Sequence, residues 1–227
     1  MGYALQEIEQ GRDLDHVGWT NGYQSASGFR DAFRQTFGKP PGQSEGTDCI
    51  VIDWVESPLG PLVLGAKMDG ICLLEFSNPQ RLQKQLAQLR NTFGCPVVPG
   101  QHKFLDQLKA ELSEYFDGKR AEFRTPVTLQ GTAFQESVWK GLLEIPYGQT
   151  ESYEGLAQAI GQPRASRAVG RANGQNRIAI VIPCHRVVNK NGKMGGYGGG
   201  LWRKQFLLDL ERRVTGRVDK NNLTKVR

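Results

Sequence analysis

Along the 227-residue chain, stretches with apolar residues at three- and four-residue steps alternate with short runs of β-branched and aromatic residues. In "MGYALQEIEQG", Leu5 and Ile8 have helical spacing. "LDHVGWTNGYQSASGFRDAFRQTFGKPPG" then reads as helix, turn, helix. Leu14, Val17 and Gly18 open the first helix and Asn21-Gly22 makes the turn. Ser27 caps a second helix, in which Phe29, Phe33 and Phe37 repeat at four-residue steps with Arg30 and Arg34 between them. Gly38, Pro40 and Pro41 stop that helix.

"QSEGTD", Gln43 to Asp48, reads as a short polar linker. In "CIVIDWVESPLGPLVLGAKMDGICLLEF", three β-rich runs are separated by Pro-Leu-Gly-Pro and Asp-Gly, the pattern of an antiparallel meander. "QRLQKQLAQLRNTF" and "HKFLDQLKAELSEYFDGK" return to helical spacing, so residues 47–125 are expected to form a small α/β domain serving as scaffold. "EFRTPVTLQG" crosses to a last domain, residues 126–215. There Thr132 and Gln135 form a capping box ahead of a helix lined by Phe134, Val138, Leu142 and Ile145. "TESYEGLAQAIGQPRASRAVGRANGQN" is a second helix-turn-helix pattern, with helices over about 152–160 and 164–173 and a turn at Gly161–Pro163. Arg164, Arg167 and Arg171 fall at three- and four-residue steps and are expected to share a face. "LWRKQFLLDLERRV" is a further helix with Phe206, Leu207 and Leu210 inward, and the polar tail from 216 to 227 is expected to be disordered.

Composition narrows the class. With 38% hydrophobic residues the chain can build real cores, and 227 residues suit one large or several small domains. No apolar run approaches the roughly 18–20 residues that span a membrane, and the mixed, charged N-terminus is not a secretory signal. A soluble, cytoplasmic protein is expected, with a monomer as the default. The net charge is +6, and nine Lys or Arg against two acids lie between Pro146 and Lys204. Basic charge gathered in one segment fits nucleic acid; charge alone leaves an ordinary solvated face equally open.

Cys49, Cys72, Cys95 and Cys184 are far apart, with no CxxC pair, which argues against a disulfide framework or a zinc site. Cys72 and Cys49 read as small buried apolar residues in strands, and Cys95 as a loop thiol. Cys184 differs. In "IVIPCHRVV" it adjoins His185, between Pro183 and Arg186. A thiol beside an imidazole can be a nucleophile with its base, half a metal site, or two core residues in contact. Neighbours in sequence do not usually point at each other, so a direct thiol–imidazole bond is not assured and a water between them would solve the geometry. The base then needs an orienting acid, for which Glu211 is a candidate. "NKNGKMGGYGGG" lacks a Walker lysine and is a weak phosphate cradle.

Two resemblances go further. "GYQSASGFRDAFRQTFGKPPG" resembles the second helix-turn-helix of AraC-type regulators, a motif whose helix enters the major groove in that family. It implies that Ser25, Arg30 and Arg34 contact DNA, with a vestigial helical cap as the alternative. "IPCHRVV", preceded by "SRAVGRA" and Asn176 and followed by "GGYGGGLWRKQFLLDLE", resembles the O6-alkylguanine-DNA alkyltransferases, from about Thr132 to Glu211 and more weakly back to about Ile50. Together the two look like the Ada-type fusion, without the zinc-bound domain at the front of full-length Ada.

The resemblance implies an α+β multidomain fold: an N-terminal helix-turn-helix (1–46), a small ribonuclease H-like α/β domain with an antiparallel sheet, and a C-terminal winged-helix-like, mostly α catalytic domain. It implies that Cys184 accepts the alkyl group, that His185 deprotonates it through a water, and that Glu211 orients the histidine. Asn176 would brace the active-site turn. Tyr153 would crowd the target's 3′ phosphate and donate to the guanine ring. Arg167 would fill the gap left by the flipped base, with Arg164, Arg171, Ala168 and Gly170 along the minor groove. Tyr197, Lys204 and Val187 would form the pocket and support its loop. Gly198 stands where members often carry Ser, so a backbone N–H would replace a side-chain donor to the guanine oxygen. The expected partner is double-stranded DNA carrying alkylated guanine, with no membrane, cofactor or metal involved. The other readings are a damage-sensing transcription regulator and, more weakly, a Cys-His hydrolase.

Overall fold

The computed structural model describes residues 1–216, so the expected tail lies outside the described residues but for Gly216. Contacts gather these residues into two units: residues 1–56, 61–109 and 125–128 form the first, and residues 57–60, 110–124 and 129 onward the second.

The first unit opens with α1 (Gly2–Glu9), α2 (Leu14–Thr20) and α3 (Ala26–Phe37). Asp13 caps α2 by accepting from the Asp15 and His16 amides at 3.1 and 3.0 Å. The cap of α3 is Ser25 rather than Ser27. Ser25 has the extended backbone a cap requires, φ −150° and ψ 148°, and accepts from the Gly28 amide, whereas Ser27 already lies in the first helical turn. Gly38 ends α3 in the left-handed conformation. The three helices close around Ala4, Leu5, Val17, Phe29 and Phe33, with Phe29 edge-on to Phe33 at 5.9 Å. Segment 43–48 is a compact turn with Ser44 buried, rather than an open linker.

The expected meander is present: β1 (Ile50–Val55), β2 (Leu62–Lys67) and β3 (Gly70–Phe76) are antiparallel neighbours. A fourth strand, β4 (Val97–Pro99), adds to β1 in parallel after the crossover helix α4 (Pro79–Phe93). Its three residues are too short to show a period in sequence, and its pairing partner is distant. Cys72 is buried in β3 and Cys95 is buried in the loop before β4; Cys49 is half-buried and sits just ahead of β1 instead of inside it. Gly2 of α1 lies so close to β4 that a Cβ there would stand 2.2 Å from the Pro99 carbonyl oxygen. Gln6 and Gln101 exchange hydrogen bonds beside that contact.

Helix α5 (Lys103–Phe116) begins in the first unit and ends in the second. The second unit then holds α6 (Ala133–Leu143), α7 (Tyr153–Ala159), α8 (Ser166–Gly174) and α9 (Leu201–Val214), with a two-residue parallel pair of β5 (Glu151–Ser152) and β6 (Val187–Val188). The capping box of Thr132 and Gln135 is complete. Arg164 is not part of α8. The Ala165 amide bonds back to the Gln162 carbonyl, so a turn occupies 162–165 and the helix begins at Ser166. No described helix is long and apolar enough to cross a membrane.

Candidate active site

The apolar run Ile178–Ile182 is rich in β-branched residues yet is not a strand. It is a tight, buried turn, in which the Ile182 amide reaches the Ile178 carbonyl at 3.0 Å and the Val181 amide the Ala179 carbonyl at 2.8 Å. Ile180 sits at φ 71°, a region that a β-branched side chain rarely adopts. Asn176 holds this turn from within. Its Oδ1 accepts from the Ile178 amide at 2.9 Å, and its Nδ2 lies 2.9 Å from the Ile182 carbonyl and 3.1 Å from Cys184 Sγ. The run ends in a single 3-10 turn, Cys184–Arg186, which buries all three side chains.

His185 and Glu211 are both fully buried, with His185 Nε2 2.8 Å from Glu211 Oε1. Burial alone would raise the Glu211 pKa, but hydrogen bonds and charges from His185 and Arg186 bring it down to about 2. Burial lowers the His185 pKa against the opposing pull of Glu211, so the imidazole is neutral at pH 7. An ionised Glu211 requires the proton on Nε2. That leaves Nδ1 as the basic nitrogen, buried, with no protein partner among the described residues.

The structure adds three further donors to Glu211. Arg186 meets Oε2 through Nε and Oε1 through Nη2, both at 3.0 Å. The Gly148 amide donates to Oε2 at 2.9 Å and the Tyr115 hydroxyl to Oε1 at 2.8 Å. Arg186 stands in the conspicuous Cys-His-Arg run, so its position could have flagged it. Tyr115 and Gly148, 96 and 63 residues from Glu211, could not be found that way.

Tyr153, at the start of α7, is half-buried beside Gly170 of α8, and a Cβ on Gly195 would stand 2.6 Å from its hydroxyl. Burial raises the Tyr153 pKa and the charge of a Cys184 thiolate adds to the rise. Lys204 is fully buried and donates to the Val187 carbonyl. Burial lowers the Lys204 pKa while a Cys184 thiolate would raise it. Val187 is buried on β6, Tyr197 is half-buried in the glycine-rich loop, and Gly198 is exposed. Arg167, Ala168 and Arg171 are exposed on α8, and Arg164 is exposed in the turn before it, so the expected common helical face reduces to Arg167 and Arg171. Ser25, Arg30 and Arg34 are exposed in the first unit, whereas Cys184 belongs to the second.

Known proteins match this chain over most of its length. Residues 50–129 match the family model of the 6-O-methylguanine DNA methyltransferase ribonuclease-like domain, and residues 133–213 that of its DNA binding domain. A methylated-DNA–protein-cysteine methyltransferase of Methanosarcina barkeri is 44% identical over 160 residues, covering 70% of this chain and 95% of that one. Its counterpart in Mycobacterium bovis is 46% identical over 158 residues, covering 70% and 90%. A crystal structure of Mycobacterium tuberculosis OGT in complex with DNA superimposes with a TM-score of 0.62 at 40% identity, over 73% of this chain and 94% of that one. On the strength of both matched domains and of relatives covered almost end to end, this chain belongs to the 6-O-methylguanine DNA methyltransferase family.

Proposed function

We propose that this protein repairs DNA by moving an alkyl group from guanine O6 to Cys184, once per molecule. The observation that carries the reading is the buried His185–Glu211 pair at 2.8 Å, directly after a Cys184 that Asn176 holds at 3.1 Å. His185 Nδ1 takes the Cys184 proton through a bridging water. The thiolate attacks the alkyl carbon, the S–C bond forms as the C–O bond breaks, and guanine keeps the electron pair. Tyr153 donates a proton to the guanine ring, so the leaving group departs neutral. The product is a thioether, which nothing in the site hydrolyses, and the protein is spent.

The target atom lies inside a stacked duplex, so the base must be extruded at a cost of about a few kcal/mol. α7 and α8 supply the DNA face. Arg167 fills the vacated stack, Arg171 and Arg164 meet phosphates, and Ala168 and Gly170 allow close approach to the minor groove. Tyr197, Lys204 and Val187 shape the pocket, in which a Gly198 amide takes the place of a side-chain donor. One chain suffices for this chemistry, so it acts as a monomer. The functional modules are residues 1–46, 47–125 and 126–215.

Mixed with DNA carrying O6-methylguanine, the protein is expected to gain the mass of one methyl group on Cys184, and to stop there. Cys184→Ala should bind the same DNA and gain nothing. Repeated turnover, or an adduct elsewhere, rejects the reading. A second reading adds a damage-responsive transcription regulator built on an AraC-type motif. It is favoured by α2, the turn and α3, which leave Ser25, Arg30 and Arg34 exposed along one short segment.

A further inference from the structure

The carboxylate behind His185 is shared. Tyr115, near the end of α5, donates its hydroxyl to Glu211 Oε1 at 2.8 Å, the oxygen that also receives His185 Nε2 at 2.8 Å. Tyr115, His185 and Glu211 are each 0% exposed. The Tyr115 ring is held edge-on by Tyr147 at 5.9 Å and tilted against Phe123 at 5.4 Å, so its hydroxyl has one direction to point. Burial keeps that phenol protonated, which makes it a donor at every working pH.

We infer that Tyr115 is a positioning residue for alkyl transfer: its hydroxyl offsets part of the negative charge on Glu211 Oε1, and so sets how strongly His185 Nδ1 draws the proton of Cys184. This rests on the base role given to His185 above. Charge on Oε1 stabilises the imidazolium that forms when His185 takes a proton, and a phenol dipole aimed at the same oxygen in a dry site diminishes that stabilisation. Among the described residues, the charged groups acting on His185 are Glu211 and Lys204 from α9 and Arg186 from its own turn, in which Cys184 adjoins it. Tyr115 from α5, which donates to Glu211, and Tyr147, lying against Arg186 at 5.5 Å, belong to the same shell. Within this shell, removing the Tyr115 hydroxyl changes the hydrogen bonding of Oε1 without changing the net charge.

Tyr115→Phe deletes one oxygen and keeps the ring. The single-turnover rate of alkyl transfer to Cys184, followed against pH, is expected to have its acid limb displaced upward by about half a pH unit. The His185 imidazole, followed by NMR, should titrate higher by the same amount. A merely structural tyrosine would move neither. An acid limb and a His185 titration at their wild-type positions overturn the proposal. Should Tyr115→Phe fail to fold, 3-fluorotyrosine at 115 keeps the shape and strengthens the donor; the limb should then move downward, and no displacement overturns the proposal. Wild-type protein that leaves Cys184 unmodified, or that transfers with no acid limb at all, refutes the base role itself. A normal wild-type limb with an unresponsive position 115 refutes Tyr115 alone.

Discussion

Glu211 gathers His185, Arg186, Tyr115 and the Gly148 amide, and that environment ties stability to pH. Its carboxyl titrates at about 2 when folded against the usual 4.5, a difference of about 3 kcal/mol. A depressed carboxyl favours the folded state above the unfolded pKa, and that contribution is lost as pH falls from about 4.5 toward 2. His185 adds in the same direction. Its folded pKa lies below 6.5, so the unfolded chain binds protons first and stability falls as pH drops through that value. Glu75 and Glu9 have raised pKa values and work the opposite way. The thermal midpoint is therefore expected to decline gently below pH 6.5 and steeply below 4.5; a midpoint that is flat from pH 5 to pH 3 contradicts the assigned Glu211 environment. Asn176 could be picked out in sequence beside the Cys-His pair through the family pattern. That one side chain ties together the Ile178 amide, the Ile182 carbonyl and the Cys184 sulfur is a property of a turn with Ile180 at φ 71°, which no local propensity announces.

At the scale of elements, helical periodicity identified α3, α4, α5, α6 and α9, because each buries one stripe against a neighbour and repeats it for at least eleven residues. It gave no sign of the shortest strands and misplaced a boundary set by a turn. β4, β5 and β6 have two or three residues each, and α8 starts at Ser166 because the preceding turn takes Arg164 out of the helix. This has a consequence for DNA binding. Arg167 and Arg171 ride on a helix whose inner side is fixed by the buried Val169, Ala172 and Asn173, while Arg164 rides on a turn. Arg167→Ala is expected to weaken binding to methylated DNA and to slow transfer by more than the binding loss explains, since the vacated stack goes unfilled. Arg171→Ala should weaken binding to all duplexes alike and lower the salt slope by about 1. Equal behaviour of the two variants in binding and transfer would remove the distinction between an intercalating and a phosphate-contacting arginine.

At the scale of the whole chain, the first 46 residues lie outside the matched family domains, the first of which begins at residue 50. The helices of this segment nonetheless pack into the first unit. Gly2 and Gln6 of α1 meet Pro99 and Gln101 beside β4, and Cys49 packs against the Phe29–Phe33 core. Deleting residues 1–46 is therefore expected to lower the thermal midpoint by several degrees, because it strips a core from the end of the sheet. Truncation is for that reason a poor test of regulation. Replacing exposed Arg30 and Arg34 with Ala should leave both the midpoint and alkyl transfer unchanged, and should abolish promoter binding if the AraC-like motif reads DNA. Undiminished promoter binding by that pair removes the second reading.

The sequence alone determined the helices with long periodic stripes and the antiparallel meander, because periodicity is a local signal. Cys184, His185, Asn176 and Glu211 stand out in it as candidates through the family resemblance, since the local Cys-His pair alone leaves several roles open. Only the tertiary structure decided what surrounds them. It made His185 Nδ1 the basic nitrogen, put Arg186, Gly148 and Tyr115 on Glu211, and set a buried Ile180 in the left-handed region ahead of the thiol. The physical reason is range. A hydrogen bond between Tyr115 and Glu211 spans 96 residues, and its strength comes from a dry interior that exists only once the chain has closed around it.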